Sequence, residues 1–132
     1  HLKHHNNWAM SVAFHPSLPI LATGSRDRSA VFCNISTLPP TYTHQLIHHT
    51  AGINSVDFHP CLPLFATSSN DDNATLYDST TLYDSSTLQT TITHVVVDHG
   101  NRVMSADFHP DLPLLVTSSN DGTIIFHNIE RL

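Results

Sequence analysis

Apolar positions along this chain come in short runs, each closed by proline, asparagine, aspartate or glycine. Ala9 to Phe14 mixes small and apolar residues in the manner of a buried strand, and Ile53 to Phe58 and Val103 to Phe108 match it. After a His-Pro turn, second strands are expected at Ile20 to Thr23, Leu64 to Thr67 and Leu114 to Thr117. Pro16, Pro19, Pro60, Pro63, Pro110 and Pro113 remove backbone donors in that turn. Ser25-Arg26-Asp27, Asn70-Asp71-Asp72 and Asn120-Asp121-Gly122 are tight-turn sequences between strands. Third strands follow at Ala30 to Asn34, Ala74 to Asp78 and Thr123 to Asn128, and outer strands at Thr41 to Ile47 and Thr90 to Val97. No segment sustains apolar spacing of three and four, so helices are not expected and the fold class is all-β.

The elements repeat. Phe-His-Pro-x-Leu-Pro begins at Phe14, Phe58 and Phe108, and the trailing turn aspartates are Asp27, Asp71 and Asp121. The segments that start at His49 and His99 agree at 14 of 30 positions. Intervals of 44 and 50 residues fall in the range of solenoids and propellers. The longer interval has a visible cause: Thr75-Leu76-Tyr77-Asp78-Ser79-Thr80 is followed by a near-copy, Thr81 to Ser86. This hexamer duplication is read as a local copying event, placed where a loop absorbs it at small cost. The chain reads as one repeat region, 1–132, with units at 5–47, 49–97 (duplicated hexamer at 75–86) and 99–132, the last one truncated.

On these residues the chain resembles the WD-repeat β-propeller family. The resemblance implies a segment of about three four-stranded antiparallel blades in an incomplete ring. It also implies a hydrogen-bonded tetrad in each blade, made by a His, a Thr or Ser, an Asp and a Trp. Here those positions hold His5, Thr23, Asp27 and Cys33, then His49, Thr67, Asp71 and Tyr77, then His99, Thr117, Asp121 and His127. The Trp is thus absent from all three. Tyr77 and His127 can still donate to the threonine hydroxyl, whereas Cys33 is a poor donor, so the first blade is expected to be the loosest. The Gly that precedes the family's His is replaced by His4, His48 and Asp98. Strands are expected to number 11, without an outer strand in the last blade. Propellers close with four to eight blades, so further blades or a second chain are needed to complete the ring. The chain starts at His1, in mid-repeat, and reads as part of a longer array.

Composition narrows the chemistry. The net charge is −6 with five Lys or Arg, which speaks against a nucleic-acid binder that exchanges a basic stripe for counterions. No apolar run approaches 18 residues and no signal-peptide pattern opens the chain, so no membrane association is expected. Cys33 and Cys61 are too few for a disulfide framework; reduced thiols and an intracellular, cytoplasmic location are expected. Twelve histidines raise the question of a metal, but they recur once per repeat and so spread around the ring instead of converging. No cofactor or metal is expected. His15, His59 and His109 are read as surface or capping side chains at strand ends.

A Thr held in a repeated structural network is a staple, not a nucleophile, so no catalytic residue is assigned and the protein is expected not to be an enzyme. An enzymatic propeller would need convergent carboxylates without a structural task; Asp57 and Asp107 share a repeat position that accounts for them, and Asp111 stands apart. The positions free to bind a protein or peptide lie on the loops the repeat leaves variable. They are Trp8, Arg26, Arg28, Asn54, Asn70, Asn101, Arg102, Met104 and Asn120. Trp, Arg and Met are favoured at interface hot spots, and Trp8 stands where the family pattern calls for no Trp. The alternative for Trp8 is packing against a neighbouring blade. The expected function is a non-catalytic scaffold for protein–protein interaction. The alternatives are a piece of a longer propeller with no function of its own, and a propeller enzyme.

Overall fold

The computed structural model describes residues 1–82, 92–96 and 99–131. The last four residues of the duplicated hexamer, both ends of the expected Thr90–Val97 strand, Asp98 and Leu132 lie outside the described residues. Among the described residues, eleven strands form three antiparallel sheets. Blade one contains β1 (Ala9–Phe14), β2 (Ile20–Ser25), β3 (Ser29–Asn34) and β4 (Thr41–Ile47) in that order. Blade two contains β5 (Ile53–Phe58), β6 (Leu64–Ser69), β7 (Ala74–Asp78) and β8 (Ile92–Val96). Blade three contains β9 (Val103–Phe108), β10 (Leu114–Ser119) and β11 (Ile124–Asn128) and has three strands. The blades follow one another around an open arc, as the repeat pattern predicts. Two short 3-10 turns, Ser79–Leu82 and Ile129–Arg131, follow β7 and β11, where no helical structure was expected. Each is a single tight turn after a strand, too short to leave a periodic apolar signature.

The His-Pro turn is built the same way three times. The His15, His59 and His109 amides donate to the carbonyls of Ile20, Leu64 and Leu114. Each histidine then caps its own turn: Nδ1 of His59 accepts from the amides of Cys61 and Leu62 at 3.0 and 2.8 Å, with equivalent pairs at His15 and His109. The Asp turn also recurs, with left-handed backbone at Arg28 (φ 75), Asp72 (φ 72) and Gly122 (φ 85). Each first strand carries an irregularity of register at one equivalent position, falling at Met10, Asn54 and Met104. Such bulges bend the strand where it meets the loop face.

The blades pack face to face. Phe32 of blade one meets Phe58 and Phe65 of blade two with ring centroids 6.3 and 5.0 Å apart, and Ile20, Ala22, Val56 and Tyr77 complete that core. Between blades two and three the equivalent positions are Leu64, Ala66, Leu76, Ala106, Phe108 and Leu115. A hydroxyl accompanies each junction: Ser11 Oγ accepts from the Val56 amide at 3.2 Å, and Ser55 Oγ accepts from the Ala106 amide at 3.1 Å. Gly24 permits the closest approach, because a Cβ there would lie 2.7 Å from Ile53 Cγ2 and 2.8 Å from Val56 Cγ1.

Both neighbours of Gly24 are β-branched and held in the core, so they cannot swing aside. Gly24→Ala is expected to lower stability by about 1–3 kcal/mol through overpacking. Gly100→Ala, where a Cβ meets nothing within 4 Å, is expected to stay within about 0.5 kcal/mol of the parent. Urea unfolding of the two variants checks this.

Candidate functional site

Two sets of residues have candidate roles, one inside the blades and one on the rim formed by the Asp turns. Inside blade two, His49 is buried, with Nδ1 2.8 Å from Asp71 Oδ2 and Nε2 2.6 Å from Thr67 Oγ1. The carboxylate can only accept, so Nδ1 donates to it, and Nε2 of the neutral ring takes the threonine proton. The threonine oxygen is then left to accept from a fourth group. In blade three that group is present: His99 reaches Asp121 at 3.3 Å and Thr117 at 2.7 Å, and His127 Nε2 lies 3.1 Å from Thr117 Oγ1. In blade two the Tyr77 phenol lies against the hydroxyls of Thr67 and Thr75, and burial pushes its pKa up to about 12. In blade one His5 reaches Asp27 at 3.0 Å and Thr23 at 2.7 Å. The fourth position there is the buried Cys33 thiol, whose pKa burial raises.

Each aspartate also gathers backbone amides. Burial opposes ionisation of Asp27, but donors from the Ser29 hydroxyl, the Asn6 and Ser29 amides and His5 outweigh it and hold the carboxyl at about 2. Burial is likewise outweighed at Asp71, chiefly by His49. The Thr123 hydroxyl and the Gly100 amide hold Asp121 far below the usual carboxylate range. A serine two residues before each aspartate joins in, donating to a loop carbonyl and accepting from the aspartate amide: Ser69 Oγ donates to Gly52 O at 2.9 Å and accepts from Asp71 N at 3.1 Å. These serines, Ser25, Ser69 and Ser119, recur in one register between the repeat's Thr and its turn Asp, but the sequence assigned them no part in the tetrad.

The rim places the variable residues together. The amides of Arg26, Asn70 and Asn120 donate to the carbonyls of Trp8, Gly52 and Arg102, so each Asp turn is fastened to the loop leading into the first strand of its blade. Trp8 is 64% exposed, and the Arg26 guanidinium carbon lies 4.4 Å from its ring centre. This cation–π pair has no signature in residue spacing; only the turn hydrogen bond brings the two together. Arg28, Asn101, Arg102, Met104 and Asn120 are exposed on the same side. Asn54 and Asn70 are placed differently. Nδ2 of Asn54 donates to Asn70 Oδ1 at 2.8 Å and to Val103 O at 2.9 Å, which ties blade two to blade three.

The structure also brings together two carboxyls that the sequence leaves apart. Asp57 on β5 accepts from the Phe108 amide at 3.2 Å and faces Asp107 on β9. Burial, and then the Asp107 carboxyl, push its pKa up to about 6, against the pull of the Phe108 amide. Among the described residues no three His, Cys, Asp or Glu side chains gather as a metal would require, and no helix is long and apolar enough to cross a membrane. A groove of ≈370 Å³ opens on the opposite rim between the His-Pro turns of blades one and two, lined by His15, Leu18, His59, Cys61, Leu62 and Ser79. Nδ1 of His59 already caps its turn, so Nε2 carries the proton and is no metal ligand.

The family model described as WD domain, G-beta repeat matches residues 1–34, 40–78 and 90–128. Among solved structures the fold is similar to the crystal structure of the Saccharomyces cerevisiae Sqt1, with a TM-score of 0.82 at 16% sequence identity. That similarity covers 96% of this chain and 33% of the other, so the chain spans about a third of the length of that protein. No curated protein matches in sequence.

Two outcomes are expected. Thr67→Val leaves Nε2 of the buried His49 without a partner and is expected to cost about 1–3 kcal/mol, with a smaller loss for Thr23→Val beside the half-buried His5; denaturant unfolding ranks them. Asp57 binds its proton more tightly when folded, so the stability it contributes is present below the unfolded carboxylate range and lost as pH rises through about 6. Asp57→Asn keeps an acceptor for the Phe108 amide. It is expected to match the parent near pH 4 and to exceed it by about 1 kcal/mol at pH 8, a value reduced for partial solvent exposure. Thermal unfolding at the two pH values reads the difference.

Proposed function

Because this chain belongs to the WD-repeat family, whose repeats generally support protein interaction, we propose that it is a non-catalytic scaffold whose Asp-turn rim binds an acidic, extended protein segment. The exposed Trp8–Arg26 pair is the observation that carries the reading. An aromatic face and a guanidinium already held side by side lose little rotamer freedom when a partner docks. Three of the five basic residues, Arg26, Arg28 and Arg102, stand on this rim, although the chain as a whole is acidic. The local field therefore favours a partner with Asp or Glu beside an apolar or aromatic anchor. In this proposal the His, Thr and Asp groups serve as staples that keep the rim rigid, with Cys33, Tyr77 and His127 as their fourth members. The repeat units remain 5–47, 49–97 and 99–132. Two cysteines free of disulfides suit the intracellular location included in the proposal.

Trp8 is the chain's single tryptophan, so its emission reports on the rim directly. Titration with a labelled peptide of alternating Glu and Tyr is expected to shift that emission, whereas a Lys and Tyr counterpart is not. By peptide anisotropy, Trp8→Ala and the pair Arg26→Ala with Arg102→Ala are each expected to weaken binding about tenfold or more while circular dichroism is unchanged. Equal binding of the two peptides, or full affinity in the variants, would overturn the reading.

A further inference from the structure

The three Asp turns share one backbone and differ in the side chain it carries. The residue after each turn aspartate is left-handed, with φ 75 at Arg28, 72 at Asp72 and 85 at Gly122. Glycine adopts that conformation without steric cost, whereas a side chain there is strained. A short polar side chain offsets the strain when it bonds locally. Among the described residues, however, the Asp72 carboxylate makes no hydrogen bond or ion pair, and neither does the exposed Arg28 guanidinium. Two charged side chains thus stand where the turn favours glycine, as its third copy shows, and neither is used within the blades.

Contacts between the blades set these charges in a fixed order along the rim. A Cβ at Gly52 would lie 2.9 Å from Arg26 Cα, so the first Asp turn rests directly on the loop entering blade two. The carbonyl of the same glycine accepts from the Asn70 amide of the second Asp turn at 2.9 Å. Asn54 donates to Asn70 Oδ1 and to Val103 O, which holds the second turn beside the loop entering blade three. Arg102 is exposed on that loop, and it too makes no side-chain hydrogen bond or ion pair among the described residues. The order is therefore Arg26 and Arg28, then the half-buried Asp72, then Arg102: positive, negative, positive. Both junctions concerned lie inside the chain, so this order does not depend on what adjoins the outer blades.

We propose that Arg28 and Asp72 determine specificity on the rim, and that the segment bound there carries Asp or Glu at the first turn, Lys or Arg at the second, and Asp or Glu toward Arg102. This rests on the rim being the binding surface, and it narrows the partner from an acidic segment to one of alternating sign. Asp72 acts by rejection as much as by attraction. A carboxylate set against it meets a like charge that no ion pair among the described residues offsets, so a uniformly acidic segment is penalised at that one point.

A lysine scan of the labelled peptide of alternating Glu and Tyr tests this: each Glu in turn is replaced by Lys, and affinity is read by anisotropy. Replacement at one interior position is expected to tighten binding about threefold, and replacement elsewhere to weaken it. Asp72→Asn keeps the shape of the side chain and is expected to abolish that gain while leaving the other positions unchanged. Arg28→Gly is expected to weaken the unsubstituted peptide about threefold or more. Its urea midpoint, and that of Asp72→Gly, is expected at or above the parent's, because relief of backbone strain offsets the added freedom of the unfolded chain. A scan in which every Lys weakens binding, or a gain that survives Asp72→Asn, overturns the proposal and leaves the scaffold reading standing. A lowered midpoint in either glycine variant assigns that side chain to the fold and overturns it too. Failure of the unsubstituted peptide to bind at all overturns the rim as the binding surface, and this proposal with it.

Discussion

A blade in this protein is a sheet with apolar residues on both sides and no interior of its own, and everything else depends on how those two sides are covered. Phe32 is fully buried, while Phe126, at the equivalent position of blade three, is exposed. Phe32 is covered by blade two and flanked by His44 of β4, whereas among the described residues β11 has neither a following blade nor a fourth strand beside it. Burying a large apolar side chain is worth about 1.5–3 kcal/mol, so most of the stabilisation in such an array sits at the junctions. That explains why the junction carries the strictest local demands. Gly24 removes a side chain where two β-branched residues press in, and a serine hydroxyl satisfies the next blade's strand amide that would otherwise be buried without a partner.

The histidine networks solve a different problem inside each blade. The loop that crosses from one blade to the next must be fastened to the inner part of the sheet it enters, and His49 does this by donating to the turn aspartate and accepting from the strand threonine. A neutral imidazole suits the task because its two nitrogens differ: one donates and the other accepts, so the chain of hydrogen bonds has a direction. In blade three that direction continues to His127, and in blade one His5 reaches Thr23, with the buried Cys33 at the fourth position of the pattern. The His5 side chain is slightly less buried than those of His49 and His99.

The strands were legible because each is short, punctuated by proline or an Asp turn, and repeated, so one ambiguous segment is corrected by its two copies. The β2, β6 and β10 strands run slightly beyond their expected ends because Ser25, Ser69 and Ser119 still pair across the bulge. The contacts between blades were not legible. Asp57 and Asp107 are 50 residues apart and look alike in a repeat alignment, yet the junction sets them against each other. Asn54 reads as a variable loop residue from its sequence position, but it lies at a bulge beside the next blade, where its amide nitrogen donates to Asn70 and to Val103 O. Repeat spacing encodes what happens within a blade. The register between blades depends on how side chains fill a shared face, and no local pattern records that.

The same distinction separates the rim from the rest of the surface. Asp27, Asp71 and Asp121 lie in the rim turns, but their charge is directed inward to histidines and backbone amides. Arg26, Arg28 and Arg102, three of the five basic residues, stand at these turns, with the Asp72 carboxylate in the second of them. The tight turn that requires a buried aspartate therefore determines which charge reaches solvent. A residue beside that aspartate is free to vary so long as its amide still reaches the neighbouring loop, as those of Arg26, Asn70 and Asn120 all do. The scaffold constrains the backbone of these turns and leaves their side chains open to variation. That is the physical reason specificity in such a repeat array can reside on its rim while the blades stay alike.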